Sequence, residues 1–581
     1  MDVLYANFSF ALLLGEQNYG QISRGAPHSR LAGERIFRAA AFVGETPPEL
    51  DAETMAALAI DWNRWWGVAH AAPTWADRIA THIAAEGYDI VGCTTTFEQT
   101  LASVALLGRL KCLRPQTVTI LGGCNCQGEM AEGIVSLAPA VDYVFSGESE
   151  RTFIEFLEAA ATGFSQFGRI IEGTPCFDMD SLPSPDYSEF FTQRRAGLPD
   201  SPVRDDELWV HCEGSRGCWW GEKHHCTFCG FNGLTMKFRE RTPQRLLAEL
   251  KSVVARAPTR RVLMTDNIMP HRYFAEFLPR LAQELPDIHI YWELKANLTL
   301  QRILLLKQAG VEQLQPGIEA LSAALLRRMD KGCTGAQNLM ALRYACSAGL
   351  DVSWNLLTDF PGDAAGDYEE TLSLIRLLFH LQPPTAVHRI TLDRFSPYFD
   401  CPERYNVTNL HPQPGYVEAF APHGDLLKIA YHFQGDYRSA EREGCAAIPA
   451  LREVVAQWRA AWQRGTPPML FVRRLTPKSY LLIDRRGLPG TPASHFLTRD
   501  EAAQLLTPRR LPVQWPVERA VERSWAVVLD GWFVPLATAA PELLLEFEHS
   551  AAAYDSQVQH SSGGQQWFTI LPQDSIGSGA S

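Results

Sequence analysis

Residues 207–402 repeat one pattern, in which a short apolar run is followed by a stretch with helical spacing of apolar residues. Amphipathic segments such as PQRLLAELKSVVAR separate most of the apolar runs, which are ELWVHC, RVLMTD, DIHIYWEL, VEQLQPGIE, DVSWNLLTDF and AVHRITLDRF. Such alternation predicts parallel strands joined by helices. Six units are too few to close an eight-stranded barrel, so the pattern predicts a partial (β/α)6 barrel, open on one side. Its functional residues are expected at the carboxyl ends of the strands.

A second α/β pattern precedes the barrel. YDIVGCTTTF, QTVTILGGCN and VDYVFSGE are predicted strands, and TLASVALLGRLKCL and TFIEFLEAAA are predicted helices. Short apolar runs that end in Gly or small polar residues predict a doubly wound, Rossmann-like parallel sheet, here in a domain over residues 1–165. MDVLYANFSF is its predicted first strand, and residues 20–85 show no assignable pattern.

Changes of composition predict the remaining boundaries. SLPSPDY and GLPDSPVRDDE predict a linker over residues 166–206. After residue 402, three helical patterns (LREVVAQWRAAWQR, TRDEAAQLL and PVERAVERSWAVVL), a strand pair around MLFVRRLTPKSYLLIDRRG and a short GWFVPLA strand predict an α+β domain over residues 403–560. The Gly- and Ser-rich end predicts a flexible tail over residues 561–581.

Composition narrows the functional classes. The chain has no apolar run long enough to span a bilayer and no signal-peptide pattern at its N-terminus, so we expect a cytoplasmic protein without a membrane partner. In that reducing compartment its 13 cysteines are better interpreted as thiols and ligands than as disulfides. A net charge of −13 argues against a general nucleic-acid binder.

The segment CWWGEKHHCTFC contains three closely spaced cysteines, Cys218, Cys226 and Cys229, directly after the first barrel strand. Zinc is one interpretation, with His224 or His225 as the fourth ligand. The other is a [4Fe–4S] cluster in which three thiolates bind three irons and the fourth iron takes an exogenous ligand. The position at the carboxyl rim of a barrel favours the cluster.

Cys-x7-Cys-x2-Cys, with an aromatic residue before the last cysteine and a six-unit barrel behind it, resembles the radical S-adenosylmethionine superfamily. The usual first gap is three residues, and a gap of seven resembles the cobalamin-dependent branch that matures ribosomally synthesised peptides (RiPPs). Other segments that agree with that branch are LGGCN, VDYVFSGESERTF, SLPSPDY, MTDNIMP, YWELKANL and LDRFSPYFDCPE. The resemblance implies a [4Fe–4S] cluster on the three cysteines, S-adenosylmethionine, cobalamin and an external electron donor.

The resemblance also implies cofactor-binding residues. For S-adenosylmethionine they are Thr265 and Asp266 in MTDN, Glu293 and Lys295 at alternate positions of IYWELKANL, and Gly317 and Glu319 in QPGIE. For cobalamin they are Thr94, Thr95, Thr96, Gly122, Gly123, Gly147 and Glu148. The sequence has no G-x-G-x-x-G motif between a strand and a helix, so binding of a dinucleotide is not supported. Asp-x-His-x-x-Gly is absent, which predicts base-off cobalamin without a histidine ligand from that motif. The alternative is a Rossmann-like domain that only packs against the barrel.

The activity implied by the resemblance is modification of a ribosomally synthesised precursor peptide, with C-methylation at an unactivated carbon as the first expectation. Cyclisation and oxidation remain open, and a zinc-bearing peptide-binding protein is the remote alternative. The C-terminal domain is expected either to bind the peptide by strand addition or to act as a cap on the barrel.

Overall fold

The structure, a computed structural model, describes residues 1–24, 30–58, 61–160, 163–164, 166–513 and 517–549. The predicted tail, residues 561–581, lies outside the described residues. The chain forms two compact units, Met1–Pro467 and Pro468–Ser581. The finer domain boundaries stay predictions. Within the described ranges, no helix is long and apolar enough to cross a membrane.

Helices form most of the N-terminal segment. They are α1 (Ala6–Leu14), α2 (Glu16–Arg24), α3 (Ala32–Ala41), α4 (Ala52–Leu58) and α5 (Trp62–Glu86). The prediction of a first strand in MDVLYANFSF is therefore wrong. Helix α1 buries Phe8, Phe10 and Ala11 and exposes Leu12, and an apolar run of this kind cannot be told from a strand by its pattern alone.

The first sheet has four parallel strands in the order β1-β2-β3-β4. Its elements are β1 (Ile90–Thr95), α6 (Thr100–Leu113), β2 (Val118–Gly123), α7 (Glu129–Leu137), β3 (Tyr143–Ser146), α8 (Glu150–Ala159) and β4 (Ile170–Glu172). The predicted α/β class is confirmed. The order does not reverse within the described residues, so the sheet is not doubly wound, because α1 takes the place of the strand expected before β1. Strand β4 extends this sheet into the predicted linker, which also contains α9 (Ser188–Gly197).

The partial barrel is confirmed as a five-stranded parallel sheet in the order β11-β10-β9-β8-β5. The strands from β5 onward are β5 (Trp209–Cys212), β6 (Ser215–Arg216), β7 (Arg239–Glu240), β8 (Arg261–Met264), β9 (His289–Leu294), β10 (Val311–Pro316) and β11 (Asp351–Val352). The last two predicted strands are interrupted. They continue as β12 (Leu356–Thr358), β13 (Val387–Arg389) and β14 (Leu392–Asp393), of which β12 and β13 pair in parallel.

Capping side chains start several barrel helices. The hydroxyls of Thr242, Thr299, Ser322 and Thr334 each accept a hydrogen bond from a backbone N–H in the first turn, as expected for N-cap residues. The helices are α10 (Pro243–Arg256), α11 (Tyr273–Glu276), α12 (Leu278–Glu284), α13 (Leu300–Gln308), α14 (Ala323–Arg328), α15 (Gly335–Ala348), α16 (Ala365–Ile375) and α17 (Pro397–Asp400).

The rest of the first unit closes against the barrel. It consists of β15 (Thr408–Pro412), α18 (Pro414–Phe420), α19 (Leu426–Ile429), β16 (His432–Asp436) and α20 (Ala447–Gln463). Strand β16 pairs antiparallel with β14 and β15. Helix α20 packs against α16, and the indole N–H of its buried Trp458 donates to the carbonyl oxygens of Phe379 and Leu381. These residues therefore belong to the same compact unit as the barrel.

The second unit has the predicted α+β composition. Its elements are β17 (Leu470–Thr476), β18 (Ser479–Asp484), β19 (Ser494–Thr498), α21 (Arg499–Leu506), β20 (Arg509–Arg510), α22 (Glu518–Glu522), β21 (Ala526–Leu529), β22 (Trp532–Pro535) and β23 (Thr538–Ala539). They form two sheets, β19-β18-β17-β23 and β20-β22-β21. The single helix predicted over PVERAVERSWAVVL is wrong, because Ser524 at φ 57° ends α22 and the β-branched run beyond it is β21.

Candidate functional site

The three cysteines lie in a loop that leaves the carboxyl end of β5. We call residues 217–238 the cysteine loop. Its base is closed by the antiparallel β6–β7 pair, in which Arg216 lies opposite Arg239. Gly217 has φ +78°, and a Cβ there would lie 2.3 Å from the Lys237 carbonyl oxygen. Only glycine therefore allows the two ends of the loop to approach so closely.

Cys218, Cys226 and Cys229 line a single cavity of about 180 Å³. Four of the predicted S-adenosylmethionine residues line the same cavity, namely Glu293, Lys295, Gly317 and Glu319. They come from β9, β10 and the residues that follow these strands. The cavity thus lies at the carboxyl ends of parallel strands, where ligand sites of such barrels are built.

Thr265 and Asp266 are not brought to this cavity. Thr265 is exposed, and its hydroxyl donates to the Cys212 carbonyl oxygen at 3.3 Å. Asp266 is 1% exposed, and its carboxylate accepts from the backbone N–H groups of Gly214 and Ser215, both at 2.6 Å, and from Trp292 Nε1 at 2.8 Å. The next residue in MTDN, Asn267, lines the cavity instead.

Burial disfavours the ionised form of the Cys226 and Cys229 thiols. It raises the pKa of Cys229 to about 12 and also raises the pKa of Cys226, while the nearby Lys331 acts in the opposite direction on both. Thiols of this kind stay protonated at neutral pH until a cation replaces the proton. The site is therefore suited to bound metal rather than to a free thiolate nucleophile.

Lys331 borders the cavity and was missed by the sequence analysis. Its ammonium group lies 3.0 Å from Glu319 Oε2, and the positive charge of this buried lysine is stabilised because Glu319 raises its pKa. A Cβ on Gly317 would lie 2.7 Å from Lys331 Nζ, so the glycine leaves room for the ammonium group. The residues around it, DKG after α14, give no local signal for a lysine that turns inward.

Lys295 is held by the two tryptophans of the seven-residue gap. Its Nζ lies 2.9 Å from the ring centroid of Trp220 and 5.5 Å from that of Trp219, a geometry suited to a cation–π contact. Burial lowers the pKa of Lys295 to about 8. Trp219 and Trp220 are anchored through their indole N–H groups, which donate to the carbonyl oxygens of Met269 and Asp330.

The two histidines of the gap also pack the loop. His224 stacks on Trp220 with ring centroids 4.5 Å apart, and its Nδ1 lies 3.4 Å from Asp330 Oδ2. His225 lines the cavity, and its Nε2 lies 2.8 Å from the Cys229 carbonyl oxygen. The gap therefore fixes the shape of the loop on which the cysteines are carried.

The donor set of the cavity fits iron. Within the described ranges, no three His, Cys, Asp or Glu side chains converge on a point that would hold one metal ion. A [4Fe–4S] cluster does not need that convergence, because each of the three cysteines binds a different iron. Cys218, Cys226 and Cys229 in one cavity with two lysines provide thiol donors and compensating positive charge.

The predicted cobalamin residues follow the carboxyl edge of the first sheet. Thr94 and Thr96 are exposed there, whereas Thr95 is buried and its hydroxyl donates to the Gly122 carbonyl oxygen at 3.0 Å. Gly123 has φ +105°, and a Cβ on it would lie 2.2 Å from the Thr95 carbonyl oxygen. This edge therefore presents two exposed hydroxyls beside tightly packed backbone.

Gly147 and Glu148 lie at the same edge, where Gly147 approaches the cysteine loop and Glu148 contacts the β6–β7 base of that loop. A Cβ on Gly147 would lie 2.8 Å from Leu234 Cδ1. The Glu148 carboxylate forms ion pairs with Arg216 at 2.8 Å and Arg239 at 2.7 Å. Glu148 is thus occupied by protein contacts rather than open to a ligand.

Comparison with known proteins agrees with this geometry. Residues 213–375 match the Radical SAM superfamily. This part of the chain is similar to a radical SAM domain, and it contains the cysteine loop and the lining residues from β9 and β10. The match implies the cofactors of that superfamily, a [4Fe–4S] cluster and S-adenosylmethionine.

Curated relatives are distant. The chain is 22% identical over 323 residues to an anaerobic magnesium-protoporphyrin IX monomethyl ester cyclase of Rubrivivax gelatinosus, covering 52% of this chain and 56% of that protein. It is 22% identical to an uncharacterized methyltransferase of Pyrococcus horikoshii, covering 50% of this chain and 64% of that protein. It is 23% identical to a tRNA-2-methylthio-N(6)-dimethylallyladenosine synthase of Carboxydothermus hydrogenoformans, covering 48% and 62%. The chain thus spans less than two thirds of each of these relatives.

Two solved structures that match part of this chain are those of OxsB, a cobalamin-dependent S-adenosylmethionine radical enzyme, and TsrM, a radical S-adenosylmethionine methyltransferase. OxsB, with aqua-cobalamin and S-adenosylmethionine bound, has a TM-score of 0.49 at 15% identity and covers 67% of this chain and 59% of that one. TsrM from Kitasatospora setae, with tryptophan and a S-adenosylmethionine analogue bound, has a TM-score of 0.47 at 14% identity and covers 72% and 85%.

Proposed function

We propose that this protein is a cobalamin-dependent radical S-adenosylmethionine enzyme that modifies a ribosomally synthesised precursor peptide, with C-methylation at an unactivated carbon as the reaction. The observation that carries the proposal is the cavity of the radical SAM domain, where Cys218, Cys226 and Cys229 lie beside Glu293, Lys295, Gly317, Glu319 and Lys331. Cyclisation or oxidation of the peptide are the alternative outcomes for the same site.

In this proposal the three cysteines hold three irons of the cluster. A cluster held there would supply one electron to S-adenosylmethionine, whose S–C5′ bond would break to give methionine and a 5′-deoxyadenosyl radical, and an external donor would restore that electron. Lys295 and Lys331 are the cations available for the carboxylate of S-adenosylmethionine, whereas Glu293 and Glu319 suit its ammonium and ribose groups. Trp220 keeps Lys295 at the cavity wall, and Glu319 does the same for Lys331.

We propose that cobalamin binds at the carboxyl edge of the first sheet. Support comes from the exposed hydroxyls of Thr94 and Thr96, the parallel order of the strands, and the general use of this edge for ligands in open α/β sheets. When bound there, cobalamin supplies the methyl group. We assign to Thr95 and Gly123 the role of shaping this edge. The Thr95 hydroxyl donates to the Gly122 carbonyl oxygen, and Gly123 lies directly against the Thr95 backbone.

The peptide is proposed to bind through the second unit. Strand β19 is at the edge of its four-stranded sheet, and Phe496 on this strand is 72% exposed. An edge strand offers unpaired backbone groups to an extended peptide. We propose no nucleic-acid or membrane partner and a cytoplasmic location, consistent with the net charge of −13.

The cofactor assignment is tested on anaerobically purified protein. We expect about four irons and four sulfides per chain, together with the absorption bands of a bound corrin. Replacement of Cys218, Cys226 and Cys229 by Ala should abolish both the cluster and 5′-deoxyadenosine formation, whereas Cys112→Ala at an exposed thiol should change neither. Zinc in place of iron would contradict the proposal, and a cluster without corrin would leave a radical enzyme that does not use cobalamin.

The reaction is tested by mass spectrometry of the precursor peptide encoded beside the gene after incubation with the loaded enzyme, S-adenosylmethionine and a reductant. A gain of one methylene mass supports C-methylation, with the label recovered when methyl-labelled S-adenosylmethionine is used. A loss of two hydrogens would identify cyclisation or desaturation, and a gain of oxygen would identify oxidation. An unchanged peptide under conditions that form 5′-deoxyadenosine would contradict the peptide assignment.

A further inference from the structure

The base of the cysteine loop is fastened to the first sheet through one carboxylate. Because Arg216 and Arg239 are paired across β6 and β7, both guanidinium groups leave the loop base side by side. Arg239 Nη1 and Nη2 donate to the two oxygens of Glu148 at 2.8 and 2.7 Å, and Arg216 Nη1 donates to Oε2 at 2.8 Å. Glu148 follows β3, so this contact joins the sheet edge to the loop.

The contact is partly withdrawn from water. The exposed fraction of the side chain is 4% for Arg239 and 20% for both Arg216 and Glu148. A further N–H, that of Cys176, donates to Glu148 Oε2 at 2.9 Å. These donors hold the pKa of Glu148 at about 2 although burial acts against ionisation. The carboxylate is therefore charged throughout the physiological range.

The two arginines differ in how much they depend on Glu148. Arg216 has two other carboxylate partners, Glu213 and Glu150, both at 2.7 Å. In the described part of the chain, Glu148 is the only carboxylate paired with Arg239, whose remaining acceptors are the carbonyl oxygens of Cys176 and Lys237. Removal of the Glu148 charge would thus leave a buried guanidinium at the loop base without its counter-ion.

We propose that Glu148 is a positioning residue for the metal-binding loop, fixing the base from which Cys218 extends to the carboxyl edge of the first sheet. The inference rests on the assignment of a cluster to the three cysteines. It gives Glu148 a role different from the cobalamin contact that the sequence suggested. It also makes one residue responsible for the spacing between the sheet edge and the cluster cavity.

The test compares Glu148→Gln with Glu150→Gln in the full-length, cluster-loaded protein under anaerobic conditions. Glu150 lies in the same turn and, in the described part of the chain, pairs with Arg216 but not with Arg239, so it is a matched control. With an iron chelator in excess, we expect iron release from E148Q to be at least tenfold faster than from wild type and release from E150Q to stay within twofold. The electron paramagnetic resonance signal of the reduced cluster should change in E148Q only.

Two further measurements separate positioning from general destabilisation. The double variant E148Q/R239Q should release iron no faster than E148Q alone, because both changes disrupt one contact. The E148Q apoprotein should melt below E150Q, because the buried Arg239 loses its counter-ion, but it should still be folded at the temperature of the release assay. Equal iron release from E148Q and E150Q would overturn the proposal, and so would an E148Q apoprotein that is unfolded at that temperature. Wild-type protein that never holds four irons would instead refute the cluster assignment.

Discussion

The sequence and the structure assign different roles to Asp266. The sequence predicts a ligand of S-adenosylmethionine, whereas in the structure the Asp266 carboxylate is buried at the start of the segment that leads into the cysteine loop. Its carboxylate satisfies three buried donors, the N–H groups of Gly214 and Ser215 at 2.6 Å and Trp292 Nε1 at 2.8 Å. Each buried donor left unpaired costs about 1–3 kcal/mol. Asp266→Ala should therefore cost about 3–9 kcal/mol, a large part of the roughly 5–15 kcal/mol that stabilises a whole domain.

Hydrogen exchange measured by mass spectrometry gives the local free energy of opening at Gly214 and Ser215. We expect D266A to raise the exchange of this segment by at least about 100-fold, which corresponds to the lower end of that range. Asp266→Asn should cost less than Asp266→Ala, because the amide oxygen still accepts hydrogen bonds. Some cost should remain, because the amide NH2 group faces a donor. Thr265→Ala at the exposed neighbouring position is the control. Unchanged exchange in D266A together with weaker S-adenosylmethionine binding would refute the structural role and restore the ligand role.

Three further predictions follow from single contacts. Burial raises the pKa of Asp266 to about 7, above its ordinary value near 4, so the folded state keeps a proton that the unfolded state releases. The protection of Gly214 from hydrogen exchange, corrected for the intrinsic rate, should therefore be full near pH 4 and fall as the pH rises through 7. The D266N variant should remove this pH dependence. Gly332→Ala should lower the free energy of unfolding in urea by about 2–5 kcal/mol, because Gly332 has φ +62° and a Cβ there would lie 1.9 Å from Trp220 Cη2. The control is Gly349→Ala, at φ +64° with nothing within 4 Å of its Cβ, which should cost only the backbone part, about 1–2 kcal/mol. Equal costs for the two variants would contradict the steric reasoning. Asp484→Ala should destabilise the second unit by about 3–5 kcal/mol, because Asp484 and Arg486 form an ion pair with both side chains 0% exposed. Limited proteolysis of this variant should cut within residues 468–549 while bound iron is retained. The same cleavage in Asp500→Ala, at an exposed site, would contradict the role given to the buried ion pair.

The parts of the site that lie at strand ends were accessible from the sequence. Cys218, Lys295 and Gly317 follow short apolar runs, Glu293 lies near the end of one, and parallel strands bring their carboxyl ends to one edge. The strand signal failed at Ala6–Leu14, where a run without alternation forms a helix. It also failed beyond Ser524, where local backbone geometry ends a helix early.

Contacts between distant segments were not accessible. Glu148 and Arg239 are 91 residues apart, and nothing near either residue marks the other as its partner. Lys331 was missed for the same reason, because the partner that holds it, Glu319, and the glycine that makes room for it lie in a different turn. Both cases involve charged side chains whose environment depends on the tertiary fold.

The seven-residue gap between Cys218 and Cys226 gains a physical explanation from these contacts. Trp220 donates to the Asp330 carbonyl oxygen and passes directly over Gly332, where any side chain would collide with the indole. Lys331 lies between Asp330 and Gly332 in the chain, so the Trp220 indole fixes the backbone that carries this lysine. Lys295 contacts the same indole ring. A gap long enough to include Trp220 therefore lets the cysteine loop itself position both lysines at the cavity, and G332A should disturb the two together.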